Sequence, residues 1–407
     1  MRARRADRPP IWTPRFSSLF AINFVITFAQ FMTLVLVPKL AASLGASSLV
    51  VGLVAGVFAV TALAVRPAVG WATLVVRHNY LLAGTVALIL VAFVLYAVSD
   101  SIPLLIGARL LHGAAMGFLA PVTLAMASDA LPPSRMAEGV GTFSLGQAVS
   151  TAVGPSVGLW METSFGYRTS FFVGAAIMAV AAILALRVRS PRAPGGPSTP
   201  WRFSSFLARE ALVPAAIMFF LAGAFSSVNA FIVLYGEARG VDQIGLFFAA
   251  YAVFILLTRP FAGALGDARG LTVVIVPGMV LFAVSFIVIA NVDTLLGFLI
   301  AGAVAALGYG ICQPAVQTLA LTSVPPHRRG LASNTSYIGV DLGYLIMPII
   351  GGWIVSADMN AGASAEGAYS SMYLLSIVPI AIGLCLYLVS RRPHPPRSTA
   401  APAPTET

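Results

Sequence analysis

One carboxylate stands out in this 407-residue chain. Asp341 lies inside "NTSYIGVDLGYLIMP" (334–348), an otherwise apolar stretch that reaches Pro348. Counted from Gly330 along a helix, it sits roughly 16 Å in, near the middle of a bilayer's hydrocarbon core. A charge at that depth is costly, so such residues face a partner or water and are functional candidates. Asn334, Tyr337, Asp341 and Tyr344 recur at helical spacing and share one face, which makes the two tyrosines substrate-contact candidates. Burial favours the neutral form of an acid, which suits a group that gains and loses a proton in each cycle. The competing reading is a permanently protonated or ion-paired aspartate that orders helix packing.

A second pair, Arg109 and His112, stands at i and i+3 in another apolar run. An arginine can repel a proton from a nearby acid or bind an anionic group, and a histidine titrates near neutral pH. A hydrogen-bonded histidine inside a bundle is the alternative for His112. Polar stripes also occur at Asn23, Thr27 and Gln30 and at Gln313 and Gln317, with Asn229 alone in a third run. Such residues can bond one helix to another, a contribution of about 0.6 kcal/mol each in membranes.

The elements that would position these groups are membrane spans. Hydrophobic residues make up 58% of the chain, charged ones 9%, and mean hydropathy is +0.91. Such a chain cannot hide its apolar surface in one water-soluble core. Runs such as "NYLLAGTVALILVAFVLYAV" (79–98) reach the ~20 residues that cross a bilayer. The spacing predicts a cytoplasmic tail at 1–15 and six spans within 16–187. A Pro/Gly/Ser/Arg-rich linker follows at 188–210, then six spans within 211–390 and a disordered tail at 391–407. Arginines collect on one side, at Arg77, Arg135, Arg187, Arg269, Arg328 and Arg391 among others, while Asp100, Glu162, Glu237 and Asp293 collect on the other. The positive-inside rule then puts both termini in the cytoplasm. The net charge of +10 therefore belongs to membrane topology, and no nucleic acid is expected as a partner.

The chain also repeats itself at an offset of 193 residues: "RPAVG" (66–70) returns as "RPFAG" (259–263), and "GPSVGLW" (154–160) as "MPIIGGW" (347–353). Gly52 and Gly245 obey the same register. The expected fold is an all-α membrane protein of twelve transmembrane helices in two parallel six-helix pseudo-repeats, a transporter architecture.

With these motifs in view the sequence resembles the major facilitator superfamily (MFS) over essentially its whole length, in the manner of its arabinose-efflux-like and drug–proton antiporter branches. The family's loop signature G-x-L-x-D-R-x-G is met by "GALGDARG", with Gly263 and Asp267 in place, Ala268 in the basic slot and Arg269 beside it. The first-half counterpart "GWATLVVR" keeps Gly70 but has Leu74 in the acidic slot. Arg109 and Gly113 match the fourth-span pattern R-x-x-x-G. Gly154, Pro155 and Gly158 resemble the fifth-span signature of proton-driven exporters, with Ser150 and Leu159 in place of two glycines. The resemblance implies that spans one, four, seven and ten line a central cavity, which makes Asn23, Thr27, Gln30, Asn229, Gln313 and Gln317 substrate-contact candidates. Together with the readings above, proton coupling falls to Asp341, Arg109 and His112, the arginine by resemblance. Gating falls to Arg66, Arg259, Gly70, Gly263, Asp267, Arg269 and the fifth-span glycines and proline, with the two arginines at inner helix ends.

Four histidines and two cysteines make no convincing metal site, and Cys312 and Cys385 are expected to be small core residues. There is no Gly-Lys-Ser/Thr phosphate loop, so neither a cofactor nor ATP is expected and the proton gradient is the energy source. The expectation is no enzyme but a secondary transporter in the bacterial cytoplasmic membrane, monomeric, exporting a small organic molecule in exchange for protons. A proton-coupled nutrient importer and a non-transporting sensor on the same fold are the alternatives.

Overall fold

The computed structural model describes residues 9–132, 135–188, 207–325 and 328–390, and every regular element among them is helical. The expected linker (mostly 189–206) and the two terminal tails (1–8 and 391–407) lie outside the described residues. Among the described residues, ten stretches are long and apolar enough to cross a membrane, so this is a multi-pass membrane protein.

The first part of the chain holds α1 (Pro14–Ser43), α2 (Ser48–Gly56), α3 (Phe58–Val75), α4 (His78–Ala97), α5 (Ile102–Asp129) and α6 (Met136–Arg187). Helix α1 starts where Thr13 caps the Phe16 N–H at 3.2 Å and Pro14 occupies the first turn. The expected second span is two helices, with the ladder interrupted at Val57. The expected fifth and sixth spans form one helical stretch with a break at Gly166, whose φ of 78° is open to glycine and strained for other residues.

The second part holds α7 (Leu212–Ala238), α8 (Leu246–Arg269), α9 (Thr272–Asn291), α10 (Leu295–Ala305), α11 (Ile311–Thr322), α12 (Arg329–Asn360), α13 (Ala365–Leu375) and α14 (Ile377–Ser390). A π-turn at Ala306–Gly310 joins α10 to α11, and Ser376 separates α13 from α14. Helix α8 departs from expectation. Its strongly apolar part is only Leu246–Thr258, because Arg259, Asp267 and Arg269 occupy the rest. The cysteines also divide: Cys312 is buried, but Cys385 lies exposed on α14 and is no core residue.

Each part packs mainly on itself, α1 against α6 and α7 against α12. The two parts meet along α2–α12 and α6–α8. Both seams lie toward the end of the bundle where α1 ends and α2 begins, and both use positions one repeat apart. On one, the α-carbon of Gly52 faces the Pro348 carbonyl, Gly56 faces the Leu345 carbonyl and Gly352 faces Ser48, with no room for a side chain at any of the three. On the other, Gly245 packs on Leu159 and accepts a hydrogen bond from Ser156 Oγ at 2.9 Å. Small residues let helix backbones approach closely, the usual basis of packing inside membranes.

Candidate functional site

The site is built where α3 and α12 cross between the two parts. Helix α12 carries Asp341 twelve residues past its first residue, and α3 carries Arg66 at its midpoint. Arg66 donates to Asp341 Oδ2 twice, from Nε at 2.7 Å and from Nη2 at 2.5 Å. Only 15% of the Asp341 side chain remains accessible. The Tyr337 ring lies one turn before the acid with the Arg66 guanidinium 5.6 Å from its centroid. One turn on, Tyr344 meets the edge of Phe58 and accepts from Asn229 Nδ2 at 3.5 Å. The aspartate is therefore ion-paired, and the pair ties one half of the protein to the other.

Arg66 was expected at an inner helix end, among lipid phosphates or beside an acid across the loop. It stands instead in mid-helix, and its acid is Asp341, 275 residues away in sequence. One repeat step carries Arg66 to Arg259 and Asp341 back to Ala148, so the acid has no counterpart in the other half.

Arg109 and His112 are both buried, 1% and 2% exposed, and neither touches Asp341. Arg109 donates from Nε to the Val54 carbonyl at 2.9 Å and from Nη2 to the Ala55 carbonyl at 2.8 Å, with Phe58 over its guanidinium at 4.8 Å. His112 Nδ1 is 3.0 Å from Tyr96 Oη in a cluster with Phe93 and Phe171, and its Nε2 has no partner. The structure thus separates the three residues grouped by the sequence into an ion pair, a backbone clamp and an aromatic pocket.

The polar stripes behave mostly as helix–helix bonds. Thr27 Oγ1 donates to the Asn23 carbonyl at 2.7 Å and lies within hydrogen-bond distance of Ser150 Oγ at 3.0 Å, joining α1 to α6, and Asn23 is itself buried. Gln317 accepts from Ser336 at 2.9 Å and donates to Ser333 at 3.3 Å, joining α11 to α12. Gln30 and Gln313 are partly exposed on α1 and α11. Gly154 packs beside the Phe28 carbonyl and Gly158 beside Met32, so with Pro155 they set the α1–α6 contact. Gly263 and Arg269 are exposed on α8, and the side chains of Arg259 and Asp267, like Gly70, lie outside the described residues.

Sequence reasoning missed Lys39, the chain's single lysine. It bonds Glu162 at 2.7 Å and Glu237 at 3.0 Å, so that α1, α6 and α7 are joined across the two parts at the seam end. The signal available was its isolation as a cation among acids on that side. A partly exposed ion pair contributes roughly 1 kcal/mol or less. Lys39→Met is therefore expected to favour the opened seam about threefold. Reaction of a cysteine at position 356 with a membrane-impermeant maleimide checks this, and an unchanged rate rejects it.

Comparison with known proteins follows this geometry. The sequence profile described as Major Facilitator Superfamily matches residues 19–243 and 215–406. An uncharacterized MFS-type transporter of Methanocaldococcus jannaschii is 21% identical over 392 residues, 93% of this chain and 96% of that protein. Multidrug resistance protein 1 of Bacillus subtilis is 22% identical over 393 residues, covering 92% and 96%. Among solved structures, a variant of the nucleoside transporter NupG superposes with a TM-score of 0.76 at 13% identity, covering 92% of this chain and 99% of that one, a likeness of fold.

Proposed function

Because this chain belongs to the Major Facilitator Superfamily and is therefore a transporter of small molecules, not an enzyme, we propose that it is a proton-coupled exporter working by alternating access. The observation that carries the reading is the Arg66–Asp341 pair, an acid and its counter-charge held on opposite halves. Export is supported by relatives such as Multidrug resistance protein 1.

In this reading twelve spans cross a bacterial cytoplasmic membrane with both termini inside, so the glycine seams and the Lys39 pairs close the outer side. The resting pair is neutral, and its carboxylate is tolerated in the apolar interior because the guanidinium stays with it. Parting the halves outward strips Asp341 of that partner. An isolated carboxylate is costly there, and a proton from outside removes the cost. Protonation then accompanies release of the substrate, and loss of the proton to the cytoplasm lets the pair re-form. Tyr337, Tyr344, Asn229, Gln30 and Gln313 are the substrate-contact candidates of this reading. His112 remains a candidate relay through Tyr96. Asp267 and Arg269, in the last turn of α8, are proposed to close the inner side.

The test is a panel of drugs and metabolites added to inverted membrane vesicles carrying an acid interior. A substrate is expected to collapse the pH gradient in vesicles with the protein and leave control vesicles unchanged. Gradient-driven uptake into whole cells, with no collapse in inverted vesicles, would make it an importer and overturn export.

A further inference from the structure

We infer that Arg109 is a positioning residue, one that acts by holding open the break between α2 and α3. The ladder there is interrupted at Val57, which donates to Leu53 O at 2.8 Å, while Val60 donates back to Val57 O at 3.1 Å. The last carbonyls of a helix lack intrahelical donors. Two of those at the end of α2, on Val54 and Ala55, receive the Arg109 guanidinium. A side chain inserted into a helical ladder is a recognised cause of a kink. A cation at the carboxyl end of a helix is also favoured by its dipole.

The rest of α5 grips the other side of the same break. Leu110 O accepts from Thr61 Oγ1 at 2.6 Å, and Gly113 lies so close to the Phe58 carbonyl that no side chain fits between them. The two segments joined at this break have separate tasks. Helix α2 carries Gly52 and Gly56, which close the seam with α12, and α3 carries Arg66, which holds Asp341. Both contacts are made to the same helix, α12, one to two turns apart: at Leu345 and Pro348 for the glycines and at Asp341 for Arg66. The angle between α2 and α3 therefore decides whether both form together, and Arg109 sets that angle. The inference concerns moving parts and stands whether or not protons drive the cycle.

The experiment uses a full-length protein with Cys312→Ala and Cys385→Ser and a new pair, Leu49→Cys with Ser356→Cys. The Leu49 N–H bonds Ser356 Oγ across the seam at 3.1 Å, so the pair reports seam closure by disulfide formation. Arg109→Met keeps bulk but removes the donors, and is expected to slow crosslinking about tenfold, as loss of charge-assisted hydrogen bonds implies. Arg109→Lys restores a donor and is expected to recover most of that rate together with transport. Thr61→Val, which removes the second grip, is expected to slow crosslinking by a smaller factor. A well-behaved Arg109→Met protein that crosslinks at the parent rate overturns the inference. If that variant fails to fold, Thr61→Val decides, and an unchanged rate is again fatal. Recovery of crosslinking in Arg109→Lys without recovery of transport would assign the arginine to substrate or proton handling instead.

Discussion

Asp341→Asn is expected to abolish proton-linked transport while leaving substrate binding within a few-fold of the parent protein. The amide preserves shape and hydrogen-bonding capacity but neither gains nor loses a proton. Arg66, which donates to Asp341 from two nitrogens, then keeps its charge in an apolar setting without its counter-charge. Removing one partner of a buried pair costs about 3–5 kcal/mol, so the single variant is also expected to be less stable. Pairing it with Arg66→Gln removes both charges and should recover stability without recovering coupling. Thermal unfolding in detergent reads the first quantity and gradient collapse in inverted vesicles reads the second. Should the single variant couple as well as the parent, the aspartate is a packing device and the proton is carried elsewhere.

The other large effect is expected from Gly52→Leu. A side chain at Gly52 would run into the Pro348 carbonyl, in a seam where Gly56 and Gly352 are equally tight against α12 and α2 backbone. Neither backbone can yield without parting the helices, so leucine excludes the closed seam altogether. Crosslinking of cysteines at positions 49 and 356 should disappear, and transport should fall by about two orders of magnitude, since overpacking costs typically 1–3 kcal/mol and this contact is backbone. Gly107→Leu is the matched control, because a side chain there would meet nothing within 4 Å and should leave both readouts intact. Normal crosslinking in Gly52→Leu would mean that the seam is looser than described here.

These two residues show how unevenly the site could be seen in the sequence. Asp341 was visible because an acid in an apolar run is conspicuous on its own. Its partner was not, since spacing arguments compare residues on one helix and Arg66 lies 275 positions away. Arg109 was visible by type, but its partners are backbone carbonyls, which carry no residue-specific mark in a sequence. Thr27 and Gln317 looked like substrate contacts because hydroxyls and amides serve a ligand and a neighbouring helix equally well; Ser150, Ser333 and Ser336 claim them instead. Gly52 and Gly245 were noticed as repeat partners, yet only packing reveals that they face α12 and α6. At the level of fold, hydropathy gave a helical membrane protein and missed its interruptions. Val57 and Ser376 break helices inside apolar stretches, where hydropathy has nothing to register, whereas Gly166 lies in the polar stretch between the expected fifth and sixth spans.

Asp341 has no acidic counterpart at Ala148, one repeat step away in sequence, and under the proposed cycle this has an electrical consequence. In the proposed cycle Asp341 is the single proton carrier, and one proton is then exchanged per turnover. With an uncharged substrate each cycle then moves one net positive charge inward. The membrane voltage becomes a driving force alongside the pH difference, worth about 2.3 kcal/mol per 100 mV for a unit charge, or roughly a fiftyfold concentration ratio.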